Sequence, residues 1–501
     1  MSVIGLDLGT SGVRAVAFSL SDGAAIAAES RPLTLHRPAT GTVELDAAEV
    51  IAAAEHAVAA VAERARLVGK APRALGFSVL GEAVVPVDVT GSPLAPVAVS
   101  MDTRGEPVAR RLGERLGAAR FTRITAQPLH GMFSGFKIAA SANWDGAAGF
   151  RCMGDLLAQR WTGTAVIDHS QAARTGLFDV DTRVWSTEII DELARVAPWL
   201  TLESLPAVVA GGTRLGGLTP AAADRLGLVP GVAVVAGAHD QAAAYLGGGG
   251  RPGDRSVISF GSSDCVTVGS ASRPEGLEET GFASYPVDDA LWVTLAGTAA
   301  GGWALEWFAQ TVGRAVPEVF GALADEPPAL LVLPYLAGSG TLDNDPDARG
   351  VIHGLTLETT VPQLARAVVE ASGFEFAKIL DALAARGIAA GALSVTGSGA
   401  RNARALECRA DAAGVALRPA GADSSARGAA ILAARGIGLD AEPLRPVDGA
   451  DDGLSEPAPQ HAEWYAQQRS AYRELYDSTR ALAHRLAQSQ TQTSHEQENT
   501  R

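Results

Sequence analysis

The 501-residue chain has no run of eighteen uninterrupted apolar residues, so it offers no membrane-spanning helix. Its N-terminus lacks the basic stretch and apolar core of a secretory signal and opens directly on a strand-like pattern. Cysteine is scarce. Cys152, Cys265 and Cys408 lie far apart and form no CxxC pair, so they are expected to be reduced, buried thiols of a cytosolic protein. Basic residues are also in deficit, 41 against 56 acidic ones, for a formal charge of −15. That balance excludes general nucleic-acid binding, which needs a basic face, and means that any anionic ligand must be held by local donors. No histidine pair has metal-ligand spacing, no G-x-S-x-G elbow occurs, and no Gly-Lys-Ser/Thr completes a Walker loop.

Apolar residues make up 47% of the chain and charged residues 19%, a globular composition, and the length calls for two domains. Strand-like and helix-like patterns alternate throughout, which points to an α/β layered architecture. Asp46-Ala-Ala-Glu49 reads as a capping box opening an Ala-rich helix with Val50, Ala54, Val58 and Val61 on one face. Thr360 with Gln363 opens a second, long helix bearing Leu364, Ala367, Val368, Ala371 and Phe374 as its apolar stripe and ending at Gly387. The four glycines at 247–250 are the expected boundary between domains at 1–246 and 251–440. A helix is expected over 456–487, and 488–501 reads as a disordered polar tail.

Four short stretches carry chemistry. "VIGLDLGTSGVRAVAF" (3–18) is a strand ending at Asp7, a small polar turn and a second strand. The alternation after Gly12 excludes a dinucleotide fingerprint, which needs a helix there. What remains is a hairpin turn presenting N–H groups and the hydroxyls of Thr10 and Ser11 as an anion nest, with Asp7 able to hold hydrated Mg²⁺ and Arg14 able to pair with a phosphate. Ser256 to Gly269 repeats this logic around a turn at Gly261, Ser262, Ser263 and Asp264. Gly397-Ser-Gly-Ala-Arg-Asn402 sits where a strand meets a helix and lets a nucleotide approach the backbone closely. Asp240, at the end of "VAVVAGAHD", is a candidate general base for phosphoryl transfer to an alcohol, and equally a candidate helix N-cap, while His239 reads as structural.

Together these motifs resemble the FGGY family of carbohydrate kinases, within the sugar kinase and actin-like ATPase superfamily, over Val3 to about Gly438. "GLDLGTSGVRAV" is similar to the family's first phosphate motif, "SFGSSD" to its second, "GAHDQ" to its catalytic-base motif and "GSGARN" to its adenosine motif. "GVIHGLTLETTVPQLARAVVE" (350–370) fits its C-terminal signature. "MFSGFKIAA" is similar to the first family signature but ends in Ala140 instead of tryptophan, and Asp264 adds a charge to the second phosphate turn. The resemblance implies two RNase-H-like domains with an interdomain cleft holding ATP–Mg²⁺ and a sugar. It assigns the nucleotide to Asp7, Gly9, Thr10, Ser11, Arg14, Gly261, Ser262, Ser263, Gly302, Gly397, Gly399 and Asn402, the metal to Asp7 and catalysis to Asp240. The sugar falls to Glu82, Met132, Asp240 and Gln241. Gly81-Glu82 stands where glycerol kinases carry Arg-Glu and xylulokinases Met-His, and Ser100 and Met132 replace the aromatic residues that pack on glycerol. The pocket therefore reads as wider than glycerol needs. A ketopentose is the expected acceptor, with a small polyol such as erythritol, or a non-enzymatic ATP-binding role, as alternatives. Glu82 is read either as a hydroxyl acceptor or as a structural ion pair. The expected partners are a small sugar or polyol, with no nucleic acid and no membrane, and a homodimer is the candidate assembly.

Overall fold

The computed structural model describes residues 1–141, 146–278, 280–298, 300–446 and 453–498. The elements that position the candidate site are, in chain order, β1 (Ser2–Leu8), β2 (Gly12–Ser19), β3 (Ala25–Pro32), α1 (Ala47–Leu67), β4 (Pro72–Val79), β5 (Arg214–Gly217), β6 (Ala233–His239) and α2 (Asp240–Gly247). They continue with β7 (Arg255–Phe260), β8 (Asp264–Ser270), α3 (Gly302–Thr311), α4 (Val361–Ala384), β9 (Ala392–Thr396), α5 (Ala403–Ala413), β10 (Leu417–Pro419), α6 (Ser424–Arg435) and α7 (Ala462–Glu498). The chain forms two compact units. The first comprises 1–252, 269–294 and 421–448, and the second 253–268, 295–420 and 449–501.

In the first unit the sheet order is β5-β6-β4-β1-β2-β3. β1, β2 and β3 form an antiparallel meander, and β4 and β6 run parallel to β1. The parallel strands therefore end on one edge, with Asp7 beside Ser78 and His239 beside Val79. Both faces of the central part of this sheet are covered, so β1, β4 and β6 are almost wholly buried, whereas the edge strands β3 and β5 are partly exposed. On one side α1 lays down Val50, Ala54, Val58 and Val61, all buried, and Asp46 caps it by accepting from the N–H groups of Ala48 and Glu49 at 2.7 and 3.1 Å. On the other side lies α6. A Cβ at Gly5 would come 1.7 Å from the carbonyl oxygen of Ala426, and one at Gly428 would come 1.9 Å from that of Ala243, so α6 touches β1 and α2 backbone to backbone.

The second unit repeats the core of this plan. β7 and β8 make an antiparallel hairpin, and β9 and β10 follow parallel to β7. The strand–turn–strand repeat read from the sequence is thus a repeat of sheet topology. α4 starts at the Thr360–Gln363 box, with Gln363 Oε1 accepting from Thr360 N at 2.9 Å, and buries Ala367, Val368, Ala371 and Phe374. α7 packs through Tyr465 and Tyr472, whose hydroxyls donate to Glu370 and Glu375 of α4 at 2.6 and 2.8 Å. Part of the segment expected as a disordered tail is helical. No glycine or proline interrupts residues 462–498, and α7 runs to Glu498. Residues 499–501 lie outside the described residues.

Because a methyl group at Gly428 has only backbone to push against, Gly428→Ala is expected to cost about 1–3 kcal/mol, read as a lowered denaturation midpoint. Gly321→Ala, where a Cβ meets nothing within 4 Å, is the control and should leave the midpoint unchanged or slightly raised.

Candidate functional site

In the first unit the site is built on the shared strand edge. Asp7 is the penultimate residue of β1, and its Oδ1 accepts from Ser78 Oγ at 2.6 Å. Burial pushes its carboxyl up to about 6; the Ser78 bond and Arg14 hold it lower, and Asp423 raises it further. The turn after it closes through Gly9 N donating to Gly12 O at 3.0 Å, leaving Thr10 half-buried and Ser11 exposed. Arg14, opposite Asp7 in the hairpin register, was expected to pair with a phosphate. It donates from Nε and Nη2 to Asp423 at 2.5 and 3.0 Å and from Nη1 to Ser30 at 2.8 Å. Asp423 precedes α6, so the packing of that helix delivers a carboxylate that neutralises the guanidinium.

Asp240 is the first residue of α2, where β6 turns into helix. It is not the N-cap. That position belongs to His239, which makes no side-chain capping bond. Enclosure, and then the nearby carboxylates of Asp7 and Glu82, push the Asp240 carboxyl up to about 7, against the Gln241 N–H and Arg174. Its side chain nonetheless keeps 31% of its surface open. A carboxyl both accessible and poised near neutrality is what a general base requires. Gln241 follows on the first turn, half-buried.

Glu82 sits in the left-handed region at φ 60, 4% exposed. Lys137, itself buried, donates from Nζ to the carbonyl oxygens of Glu82 and Val99 at 2.6 and 2.7 Å and so holds that strained loop. Desolvation lowers the Lys137 ammonium to about 8. The Glu82 carboxylate is ion-paired with Arg174, which also donates to Gln127 Oε1 at 2.6 Å and stacks 5.1 Å from the Phe133 ring centroid. The structural ion pair weighed for Glu82 is therefore present. Met132 packs half-buried against the Phe121–Phe133–Phe136 cluster, away from the core beneath β1.

In the second unit three turns gather at the end of β7. The turn at 261–263 is stitched to the start of α3, with Gly302 N donating to Gly261 O and Trp303 N to Ser262 O, both at 2.9 Å. Gly301, at φ 112, has no room for a Cβ, which would lie 2.7 Å from Asp264 Oδ1. A Cβ at Gly397, at φ 90, would lie 2.2 Å from Phe260 O. Gly399 O accepts from Arg409 Nη1 at 3.0 Å, and Asn402 Oδ1 caps α5 by accepting from Ala405 N at 2.9 Å. Gly261, Ser262, Ser263, Gly302, Gly397 and Gly399 are thereby brought together around the end of β7. Asp264 does not face this cradle as a ligand. It is buried behind the turn, accepting from Ser372 Oγ at 2.6 Å.

Among the described residues no three histidine, cysteine or acidic side chains gather as a metal site. Asp7, however, is a carboxylate raised first by burial and then by its neighbour Asp423, and bonded through one oxygen to Ser78. One carboxylate completed by phosphate oxygens and water is how Mg²⁺ is ordinarily held, so the residues fit it.

Two sheet-rich units of repeated topology, with carboxylates at parallel strand ends in one and glycine turns in the other, define the class of actin-like ATPase folds that includes sugar kinases. Residues 2–247 match the N-terminal domain of the FGGY family of carbohydrate kinases and residues 256–437 its C-terminal domain. The chain belongs to that family, and its activity is phosphotransfer to an alcohol group. It is 31% identical over 445 residues to a xylulose kinase from Escherichia coli, covering 86% of this chain and 89% of the relative. It is also 31% identical over 486 residues to a glycerol kinase from Acidovorax ebreus, covering 87% and 91%. The crystal structure of a xylulose kinase from Rhodospirillum rubrum superposes with a TM-score of 0.85 at 27% identity, covering 97% of this chain and all of that one. The family domains meet between 247 and 256, close to the glycine run, whereas the compact units also draw 269–294 and 421–448 into the first.

Arg174 was not legible in the sequence, and its loss gives a direct test of the Glu82 environment. Arg174→Met leaves a buried carboxylate unpaired and is expected to cost about 3–5 kcal/mol. The double variant Arg174→Met/Glu82→Gln should recover a large part of that loss in a thermal denaturation series.

Proposed function

We propose that the chain transfers the γ-phosphoryl group of ATP to a hydroxyl of a ketopentose, with Asp240 as the base that takes the hydroxyl proton. The observation that carries this reading is the Asp240 carboxyl itself, open to solvent at the turn from β6 into α2 and raised to about 7. The xylulose kinases among the relatives support a pentulose as acceptor. Glu82 and Arg174 act as a rigid polar pair beside the base and, with Met132 and Gln241, orient the acceptor. The hairpin turn at Gly9, Thr10 and Ser11 and the glycine cradle of the second unit supply N–H and hydroxyl donors for phosphate oxygens, and Asn402 fixes the start of α5 beside that cradle. Bound through Asp7, Mg²⁺ would supply charge neutralisation for the phosphates. The chain's own part in the reaction is to place the acceptor oxygen and to hold its proton at Asp240 as the bond to phosphorus forms. Bound in this way, a five-carbon sugar makes its hydroxyl contacts with side chains already locked by ion pairing. We place the enzyme in the cytosol.

Two measurements test this. A panel of ketopentoses, polyols and glycerol, followed by ADP release, should give the highest kcat/KM for a ketopentose and a low value for glycerol; glycerol as best acceptor would overturn the substrate assignment. Asp240→Asn should lower kcat by about 10²–10⁴-fold and abolish the rise of kcat/KM with pH through about 7, since only the ionised carboxylate accepts a proton. Its stability should move the other way. A carboxyl raised in the folded state favours folding when protonated and loses that contribution as pH climbs from the unfolded value through about 7. At pH 8 the asparagine variant should therefore melt no lower than the native protein.

A further inference from the structure

Next to Asp240 stands a polar chain that no part of the reaction above uses. His239, the last residue of β6, is 5% exposed, and Tyr285 is fully buried. Tyr285 Oη lies 2.5 Å from His239 Nδ1, and His239 Nε2 lies 3.1 Å from Asp240 Oδ1. The imidazole is fixed from other directions too. Its backbone N–H donates to Ser170 Oγ at 2.7 Å, and Ser170 in turn donates to Asp168 at 2.5 Å. Gly81 faces the ring so closely that a Cβ there would lie 2.7 Å from Nε2.

We propose that Tyr285 and His239 are positioning residues for Asp240: the tyrosine hydroxyl fixes the imidazole as its Nε2–H tautomer, and that N–H holds one carboxylate oxygen so that the other faces the acceptor hydroxyl. This rests on the reading of Asp240 as the base. The donor order follows from the groups themselves. An ionised carboxylate only accepts, so the nitrogen facing it carries the hydrogen, and the remaining nitrogen accepts from the phenol. Burial, with Arg174 nearby, holds the imidazole well below its ordinary pKa, so it donates without becoming charged. The other charged groups facing this chain are Asp7, Glu82 and Arg174 around Asp240, and Asp168 through Ser170. Asp7 and Glu82 both disfavour an ionised Asp240, and a neutral donor on its inner oxygen opposes them without drawing the carboxylate into an ion pair that would blunt it as a base. When the outer oxygen has taken the substrate proton, the inner one keeps its hydrogen bond and the imidazole is unchanged.

The full-length protein labelled with ¹⁵N-histidine provides a readout that needs no substrate. The His239 ring, identified by its loss in His239→Gln, should remain a neutral Nε2–H tautomer from pH 6 to 8.5. Its shifts should respond to a titration near pH 7 that is absent in Asp240→Asn. An imidazolium at pH 6, or the Nδ1–H tautomer, overturns the proposal. Kinetically, with ATP–Mg²⁺ and the best acceptor of the panel, His239→Leu should lower kcat at pH 7 about 10–100-fold, the usual effect of removing a hydrogen-bonding group that orients a working one. It should also raise the apparent pKa of the acid limb by about one unit, with KM for ATP unmoved. His239→Gln, which keeps a side-chain N–H, should recover most of the loss, and Tyr285→Phe should show a smaller one. Superimposable pH profiles for His239→Leu and the native enzyme, or a glutamine variant no better than leucine, would overturn it. Asp240→Asn separates the two readings: if that variant keeps its activity and acid limb, the base assignment fails whatever the histidine variants do.

Discussion

The first unit depends on one close contact, the backbone-to-backbone seating of α6 on β1 and α2. Gly5 and Gly428 leave no atom between the elements, so the helix that carries Asp240 and the strand that carries Asp7 are fixed relative to each other by a third element. That third element also brings Asp423 to Arg14. A candidate base, a candidate metal ligand and the pair that stiffens the hairpin beside it are thus registered by helix packing, which is close-packed and therefore unforgiving of a single added methyl. Loops close the hydrogen bonds locally, but they do not set these distances.

On this frame sits an electrostatic imbalance. Asp7, Asp240 and Glu82 converge at the C-terminal edge of parallel strands, while the nearby guanidiniums are committed elsewhere, Arg174 to Glu82 and Arg14 to Asp423. Burial raises both Asp7 and Asp240, and a neighbouring carboxylate adds to each: Asp423 for Asp7, and Asp7 with Glu82 for Asp240. Such crowding works against folding and favours binding of whatever cation and proton source the reaction brings, a trade common where catalytic carboxylates gather. Lys137 shows the same economy from the other side. Its charge is spent on two carbonyl oxygens that shape the Glu82 turn, and not on a carboxylate.

Much of this was legible in the sequence because it is local. Hairpin turns, helix caps and alternating strands are written within a few residues of one another, so the Asp7 turn, the Gly261 turn, the Asp46 and Thr360 caps and the placement of Asp240 beside a Gly-rich stretch could be read directly. Partners far along the chain could not. Asp423 is 409 residues from Arg14, Arg174 is 92 from Glu82 and Tyr285 is 46 from His239, and nothing in composition or spacing links them. The glycines at 247–250 read in the sequence as a domain boundary, but not as packing positions. Gly247 closes α2 and faces Ser424, where a Cβ would meet a carbonyl oxygen at 1.9 Å, and Gly250 lies against the Tyr245 ring. Glycine serves close packing as often as freedom, and sequence alone does not say which.

The place of α6 in the chain also has a consequence for how the protein is made. Its residues, 424–435, belong to the first unit yet emerge from the ribosome only after the 253–268 and 295–420 stretches of the second. At ordinary elongation rates the sheet of β1, β4 and β6 must wait roughly ten to forty seconds with one face uncovered before its last helix arrives. Translation order and domain order are therefore at odds, and the face of the sheet that α6 will cover stays open to solvent during that interval.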